Sequence, residues 1–225
     1  FIKEYSTTKS DIMIYDLATD SITNLTNFAS DNNYVHGCKF NIDDTKILYV
    51  YTAGNKNSTT PSIKELTIAT LTSSTLYTDS GANPNIAPEY NLDNTKLYFT
   101  NIANGLVSFN ISTSAITLIQ SGNRYFATQH PTLNKIAYSS IFGSDPNYEI
   151  IDRDLGNNTV TTLVTASAYN IYPRYSPDGN SIIYTSYSSG FHQLKKRNLI
   201  TNTTTNLTSD SITYLYPDWA NIVDS

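Results

Sequence analysis

Apolar and polar positions alternate in short runs along this chain, and clusters of Asn, Asp, Ser, Thr and Gly interrupt the runs every few residues. Alternation places one side of an extended strand in a core and the other in water; the longer spacing of an amphipathic helix is nearly absent. The pattern predicts an all-β chain of short strands. Five strands align on the turn before them: Lys46-Ile47-Leu48-Tyr49, Lys96-Leu97-Tyr98-Phe99, Lys135-Ile136-Ala137-Tyr138, Ser181-Ile182-Ile183-Tyr184 and, at the start, Phe1-Ile2. The first four begin 50, 39 and 46 residues apart, and 225 residues shared among five units gives 45, a typical length for a four-stranded propeller blade.

Each unit has the same internal order. A first strand carries an aromatic residue (Phe40, Tyr90, Tyr175, Trp219, with Gln129 as the exception) expected to pack between adjacent blades. A turn follows: Asn41-Ile42-Asp43-Asp44, Asn91-Leu92-Asp93-Asn94, Pro131-Thr132-Leu133-Asn134 or Ser176-Pro177-Asp178-Gly179. Asn and Asp tolerate left-handed backbone angles, Pro presets one angle and Gly admits positive φ. A second strand, a third such as Asp11-Leu17, and a second turn (Thr19-Asp20, Asn157-Asn158, Thr201-Asn202) lead to an outer strand.

The fifth unit is split between the two ends. Tyr172-Pro173-Arg174-Tyr175 is matched by Tyr216-Pro217-Asp218-Trp219 near the C-terminus, and what should follow stands at the N-terminus. At an offset of 182 positions Ile2 falls on Tyr184, Leu17 on Leu199 and Asn24-Leu25-Thr26 on Asn206-Leu207-Thr208. The expected architecture is one five-bladed β-propeller over residues 1–225. Its final blade takes its inner strand from about 211–225 and the other three from 1–28. Closing a ring of sheets in this way leaves no raw strand edge.

Composition narrows the function. Charged residues are 15% and the net charge is −5, so no basic field draws in nucleic acid; Lys195-Lys196-Arg197 reads as a solvated strand end. The single cysteine, Cys38, rules out an internal disulfide and a cysteine zinc site. No apolar run approaches the roughly 20 residues that span a bilayer, so no membrane insertion is expected. His36, His130 and His192 occupy non-equivalent places in their units, and no metal site is expected from them. No phosphate loop, calcium loop or redox pair occurs, so no cofactor is expected.

The stretch from Tyr172 to Ser186, with Pro173-Arg174-Tyr175-Ser176-Pro177-Asp178-Gly179 at its head, resembles the P-x-W-S-P-D-G-x-x-I-x-F-x-S repeat of the WD40-like (PD40) propellers, the TolB-like propeller family. Pro217-Asp218-Trp219 keeps part of it, and the first three units are degenerate. The resemblance implies a propeller in a bacterial periplasmic or extracellular setting. It is nearly silent on activity, because this blade serves scaffolds, binding modules and domains that gate enzymes. TolB-type proteins usually have six blades and an α/β domain, and the peptidases of the family carry a G-x-S-x-G elbow; neither pattern is found in this sequence.

Two sets of binding residues stand out. The residue before the aromatic on each inner strand forms a ring, Lys39, Glu89, Thr128, Arg174 and Asp218, whose opposite charges pair or line a channel mouth. The loops entering the inner strands carry Tyr34, Tyr125, Tyr169, Tyr172, Tyr214 and Tyr216, with Asn83 and Asn85 among their asparagines. Tyr supplies rigid amphipathic contact area and Asn both donors and acceptors. The expected role is a monomeric, non-catalytic binding or scaffolding module with a protein or glycan partner. The alternative is a glycosidase using Glu89 and Asp218, whose carboxyls would have to stand roughly 5–9.5 Å apart.

Overall fold

The structure is a computed structural model describing residues 1–54, 60–79, 87–101, 105–141, 147–165, 168–188 and 190–219. Among the described residues it is all-β apart from one 3₁₀ turn, Phe28–Asp31. The chain divides between Leu118 and Ile119 into two compact units.

The first unit contains three antiparallel meanders. One has three strands, β1 (Ile2–Ser6), β2 (Lys9–Asp16) and β3 (Ser21–Asn24). The second has four, β4 (Asn33–Phe40), β5 (Lys46–Ala53), β6 (Ser62–Thr67) and β7 (Thr72–Thr78). The third comprises β8 (Glu89–Tyr90), β9 (Lys96–Asn101), β10 (Gly105–Asn110) and β11 (Ile116–Gln120), the last crossing the boundary between units. In the second unit, β12 (Arg124–Gln129), β13 (Lys135–Ile141), β14 (Tyr148–Asp154) and β15 (Val160–Val164) form one meander. A further meander comprises β16 (Tyr169–Tyr175), β17 (Ser181–Ser188), β18 (Phe191–Asn198) and β19 (Thr204–Asn206). One parallel bridge, Tyr148 to Tyr169, joins these two into an eight-stranded sheet.

Apolar residues from neighbouring sheets meet face to face. Ile12, Leu25, Val35, Ile47, Tyr49 and Leu66 fill one core between the first two sheets; Leu48, Val50, Ile63, Tyr90, Leu97, Phe99, Val107 and Phe109 fill the next. Ala137, Ile150, Tyr175, Ile182 and Tyr184 do so in the second unit. First-strand tyrosines lock these contacts. Tyr90 donates to Glu65, which also binds Lys46 at 2.6 Å; Tyr175 donates to Asp152, which faces Lys135 at 3.4 Å. Glu65 pairs with Leu48 and Asp152 with Ala137, so the two locks stand in the same register. Trp219 keeps the position with different chemistry: its indole N–H donates to the Arg174 carbonyl and Lys196 sits 5.4 Å from its ring centroid. Phe40 departs from expectation. It is 48% exposed: it has no hydroxyl to reach an acid, and the register-equivalent residue on β2 is Ile14.

The repeat reappears in backbone geometry. Asp16, Asn110, Asp154 and Asn198 each accept from the backbone N–H groups two and three residues on, closing the turn before an outer strand. Four residues beyond each lies a left-handed residue, Asp20, Ser114, Asn158 or Asn202, with φ between 53° and 62°. The turn after Thr67 puts Leu71 in that position at φ 53°, a conformation costing a branched L-residue about 1–2 kcal/mol that Asn tolerates. Leu71 is exposed. We expect Leu71→Asn to stabilise the chain by about 0.5–1 kcal/mol in a denaturant melt; a loss of stability would show that its side chain outweighs the strain.

The 182-residue offset holds at the level of hydrogen bonds. The Ile12 N–H donates to the Thr26 hydroxyl and the Leu194 N–H to that of Thr208, both at 3.0 Å. Leu25 and Leu207 likewise donate to the Ile12 and Leu194 carbonyls. At β1 the register corrects the alignment by one residue. Ile2 pairs with Ile12, whereas the partner of Leu194 is Thr185, because a bulge between Glu4 and Ser6 shifts the strand. Residues 220–225, needed for the expected shared final blade, lie outside the described residues, as do Asn83 and Asn85.

Candidate functional site

Inner strands here share one irregularity. In β4, β12 and β16 the pairing slips by a bulge, and the bulged residue takes positive φ: Gly37 at 49°, Phe126 at 57° and Tyr172 at 55°. Tyr216, before Pro217-Asp218-Trp219, has φ 55° at the corresponding place. Each stands two residues before a ring residue, namely Lys39, Thr128, Arg174 and Asp218. Gly occupies such a conformation freely, but bulky aromatics do so rarely and at a cost. Strain of this kind concentrates where the side chain is needed.

The bulge brings the aromatics of the second unit together. Phe126 and Tyr172 lie 4.2 Å apart between ring centroids, and Tyr172 and Tyr216 again 4.2 Å apart, tilted by 51° and 44°. The Tyr172 hydroxyl donates to that of Tyr216 at 3.2 Å. Beside this ladder Tyr169 donates to the Tyr148 hydroxyl at 3.1 Å with their rings 4.3 Å apart, and Tyr125 lies near both Phe126 and Tyr148. His192 continues the cluster toward Tyr187. Tyr125, Tyr148 and Tyr169 sit at or next to the first residue of their strands, and Tyr187 and His192 flank the β17–β18 turn; in antiparallel sheets these positions share one end. Burial, and then the bond to Tyr216, pushes the Tyr172 phenol well above its usual range; burial and Tyr169 do the same to Tyr148. These phenols are neutral donors at ordinary pH.

Of the six tyrosines expected on this face, Tyr125, Tyr169, Tyr172 and Tyr216 are thus brought together. Tyr214 stands apart, its hydroxyl donating to Asp210 and its N–H to the His192 carbonyl. Tyr34 is corrected: it is only 2% exposed, its hydroxyl bonds to Glu4 and its ring packs on His36, so it presents no docking surface. Phe126 belongs to the same expected loop as Tyr125, whereas Tyr148, Tyr187 and His192 were not expected there. The spacing of Phe126, Tyr172 and Tyr216, close to one repeat, is the sequence signal for the ladder.

The charged ring is seen in part within each unit. Lys39 Nζ lies 4.0 Å from Glu89 Oε2, both half-buried. In the second unit Thr128 is buried, the Arg174 guanidinium donates to the Pro173 carbonyl, and a carboxylate oxygen of Asp218 accepts from the Trp219 N–H. Among the described residues no group of three or more His, Cys, Asp or Glu side chains is arranged to hold a metal ion.

Solved structures give the fold a context. TolB from Acinetobacter baumannii aligns over 90% of this chain at 22% identity with a TM-score of 0.76, and a putative TolB from Agrobacterium tumefaciens over 92% at 16% and 0.73. The chain shares their β-propeller fold. Oligogalacturonate lyase, in complex with manganese, aligns over 88% at 14% identity with a TM-score of 0.67. The chain spans 49% of the Acinetobacter protein, 72% of the Agrobacterium protein and 59% of the lyase. No protein-family model matches the sequence, and no curated protein does.

Proposed function

We propose that the chain is a single five-bladed propeller, closed by its two ends, that acts as a non-catalytic binding module outside the cytoplasm. A protein or glycan partner docks on the tyrosine-rich end, over a channel mouth ringed by Lys39, Glu89, Thr128, Arg174 and Asp218. The aromatic cluster carries this reading: Phe126, Tyr172 and Tyr216 are stacked together at a cost in backbone strain, beside the tyrosines at the strand ends. The recurring turns at Asp20, Leu71, Ser114, Asn158 and Asn202 support five units, and the matched bonds 182 residues apart support a fifth unit split between the termini. Similarity to TolB supports the setting.

Capture from an envelope extract tests the reading. Wild-type chain is expected to retain a protein or glycan that Tyr125→Ala/Tyr216→Ala loses while melting normally. Full retention by that variant would move the docking site elsewhere. Turnover of a glycoside panel, abolished by Glu89→Gln and Asp218→Asn, would replace binding with the glycosidase alternative.

A further inference from the structure

We infer that the Phe126–Tyr172–Tyr216 ladder is a subsite for a neutral pyranose, stacked on the outer ring of Tyr216 and hydrogen-bonded by its phenol. The inference rests on the docking reading above and names its ligand. Three observations carry it.

The first is where the strain lies. At the position where β4 uses Gly37, three successive segments of the second unit use bulky aromatics at φ 55–57°. Each gives up about 1–2 kcal/mol relative to a relaxed backbone. Ring-on-ring packing of roughly 0.5–1.5 kcal/mol per pair offsets this for the inner ring, Tyr172, which has a ring on either side. Tyr216 ends the ladder: it packs on one ring only, that of Tyr172, and remains 68% exposed. An outer ring this exposed is held out for something to lie against it.

The second is the spacing. At 4.2 Å between centroids each gap in the ladder is filled by the next ring. No slot remains for a proline, so the ridged groove that reads polyproline is not built here. What remains is one open aromatic face and a row of edges. The C–H face of a pyranose suits such a surface, being apolar, rigid and close to flat.

The third is the polar handle. Tyr172 donates to the Tyr216 oxygen, which leaves Tyr216 its own O–H to offer a ligand acceptor at the rim of the ring. A sugar hydroxyl or ring oxygen can accept it. The handle offers a single O–H and no ion pair, so a sugar hydroxyl is enough to satisfy it.

Titrating the full chain with cellohexaose, mannohexaose and chitohexaose, followed by calorimetry and by tyrosine fluorescence, tests the inference. At least one should bind, and Tyr216→Ala should weaken it about tenfold or more, with the melt unchanged because the side chain is exposed. Tyr216→Phe, which keeps the ring and loses the donor, should weaken it about two- to fivefold. Tyr5→Ala, on another exposed tyrosine, should bind as wild type. The inference fails if none of the three binds at millimolar concentration, or if Tyr216→Ala binds undiminished. It also fails if a polyproline decapeptide binds at Tyr216 while the sugars do not, an outcome that leaves docking on this end intact.

Discussion

Gly179→Ala should cost about 2–4 kcal/mol of stability, the sum of a left-handed backbone penalty and overpacking. Gly179 ends the Ser176-Pro177-Asp178-Gly179 turn at φ 71°, its N–H donating to the Ser176 carbonyl. A Cβ built there would lie 2.5 Å from His130 Cε1 and 2.6 Å from Nε2, closer than van der Waals contact allows. His130 cannot simply swing away. Its Nδ1 accepts from the Thr132 and Leu133 N–H groups and its ring packs edge-on against Tyr175. Burial holds its pKa below the usual histidine value, so the ring is predominantly neutral near pH 7, with Nδ1 free to accept. A double-mutant cycle separates the two causes. With His130→Ala the same glycine change should cost only the backbone part, about 1–2 kcal/mol. An equal cost in both backgrounds would mean that the contact with His130 is not the source.

The same residues show what the sequence could and could not carry. Turns at Asp44, Asn94 and Gly179 were legible because the cause is local: these residue types tolerate the left-handed angle they adopt. Pro131-Thr132-Leu133-Asn134 looked degenerate because its capping group is not a turn residue at all but His130, one position upstream. Leu71 was hidden for the opposite reason, since nothing in leucine's chemistry announces a left-handed turn. The charged positions could be found by register alone, and Lys39 does meet Glu89. Tyr34 could not be placed, because whether a tyrosine points out or in depends on residues as remote as Glu4. The aromatic ladder needed the bulge, which breaks the simple alternation from which side-chain direction is read. Ile2 was misplaced by one residue by the same kind of irregularity.

Alkali should unfold this chain cooperatively, beginning near pH 10. It has 18 tyrosines, and burial is the largest cause raising the phenol pKa of Tyr49, Tyr90, Tyr98, Tyr138, Tyr172, Tyr175 and Tyr184. Tyr98 is pushed up to about 12; Tyr90 and Tyr175 go further because their hydroxyls donate to Glu65 and Asp152, whose charge opposes a phenolate. The sign follows from proton binding. Unfolded phenols release protons near pH 10 while these folded ones keep theirs, so above that pH the unfolded state binds fewer protons and stability falls. The contribution is complete below pH 10 and is lost as pH rises through the folded values, for Tyr98 between about 10 and 12. Each tyrosine still protonated adds about 1.4 kcal/mol per pH unit to the slope, so several together should overwhelm a typical stability of about 5–15 kcal/mol within one to two pH units. Phenolate absorbance should therefore rise in a steep phase coincident with loss of the β-sheet circular dichroism. Tyr175→Phe should lower stability at pH 7, by losing the bond to Asp152, and make the alkaline slope shallower. A single smooth titration near pH 10 with the sheet signal intact would show that these rings are open to water.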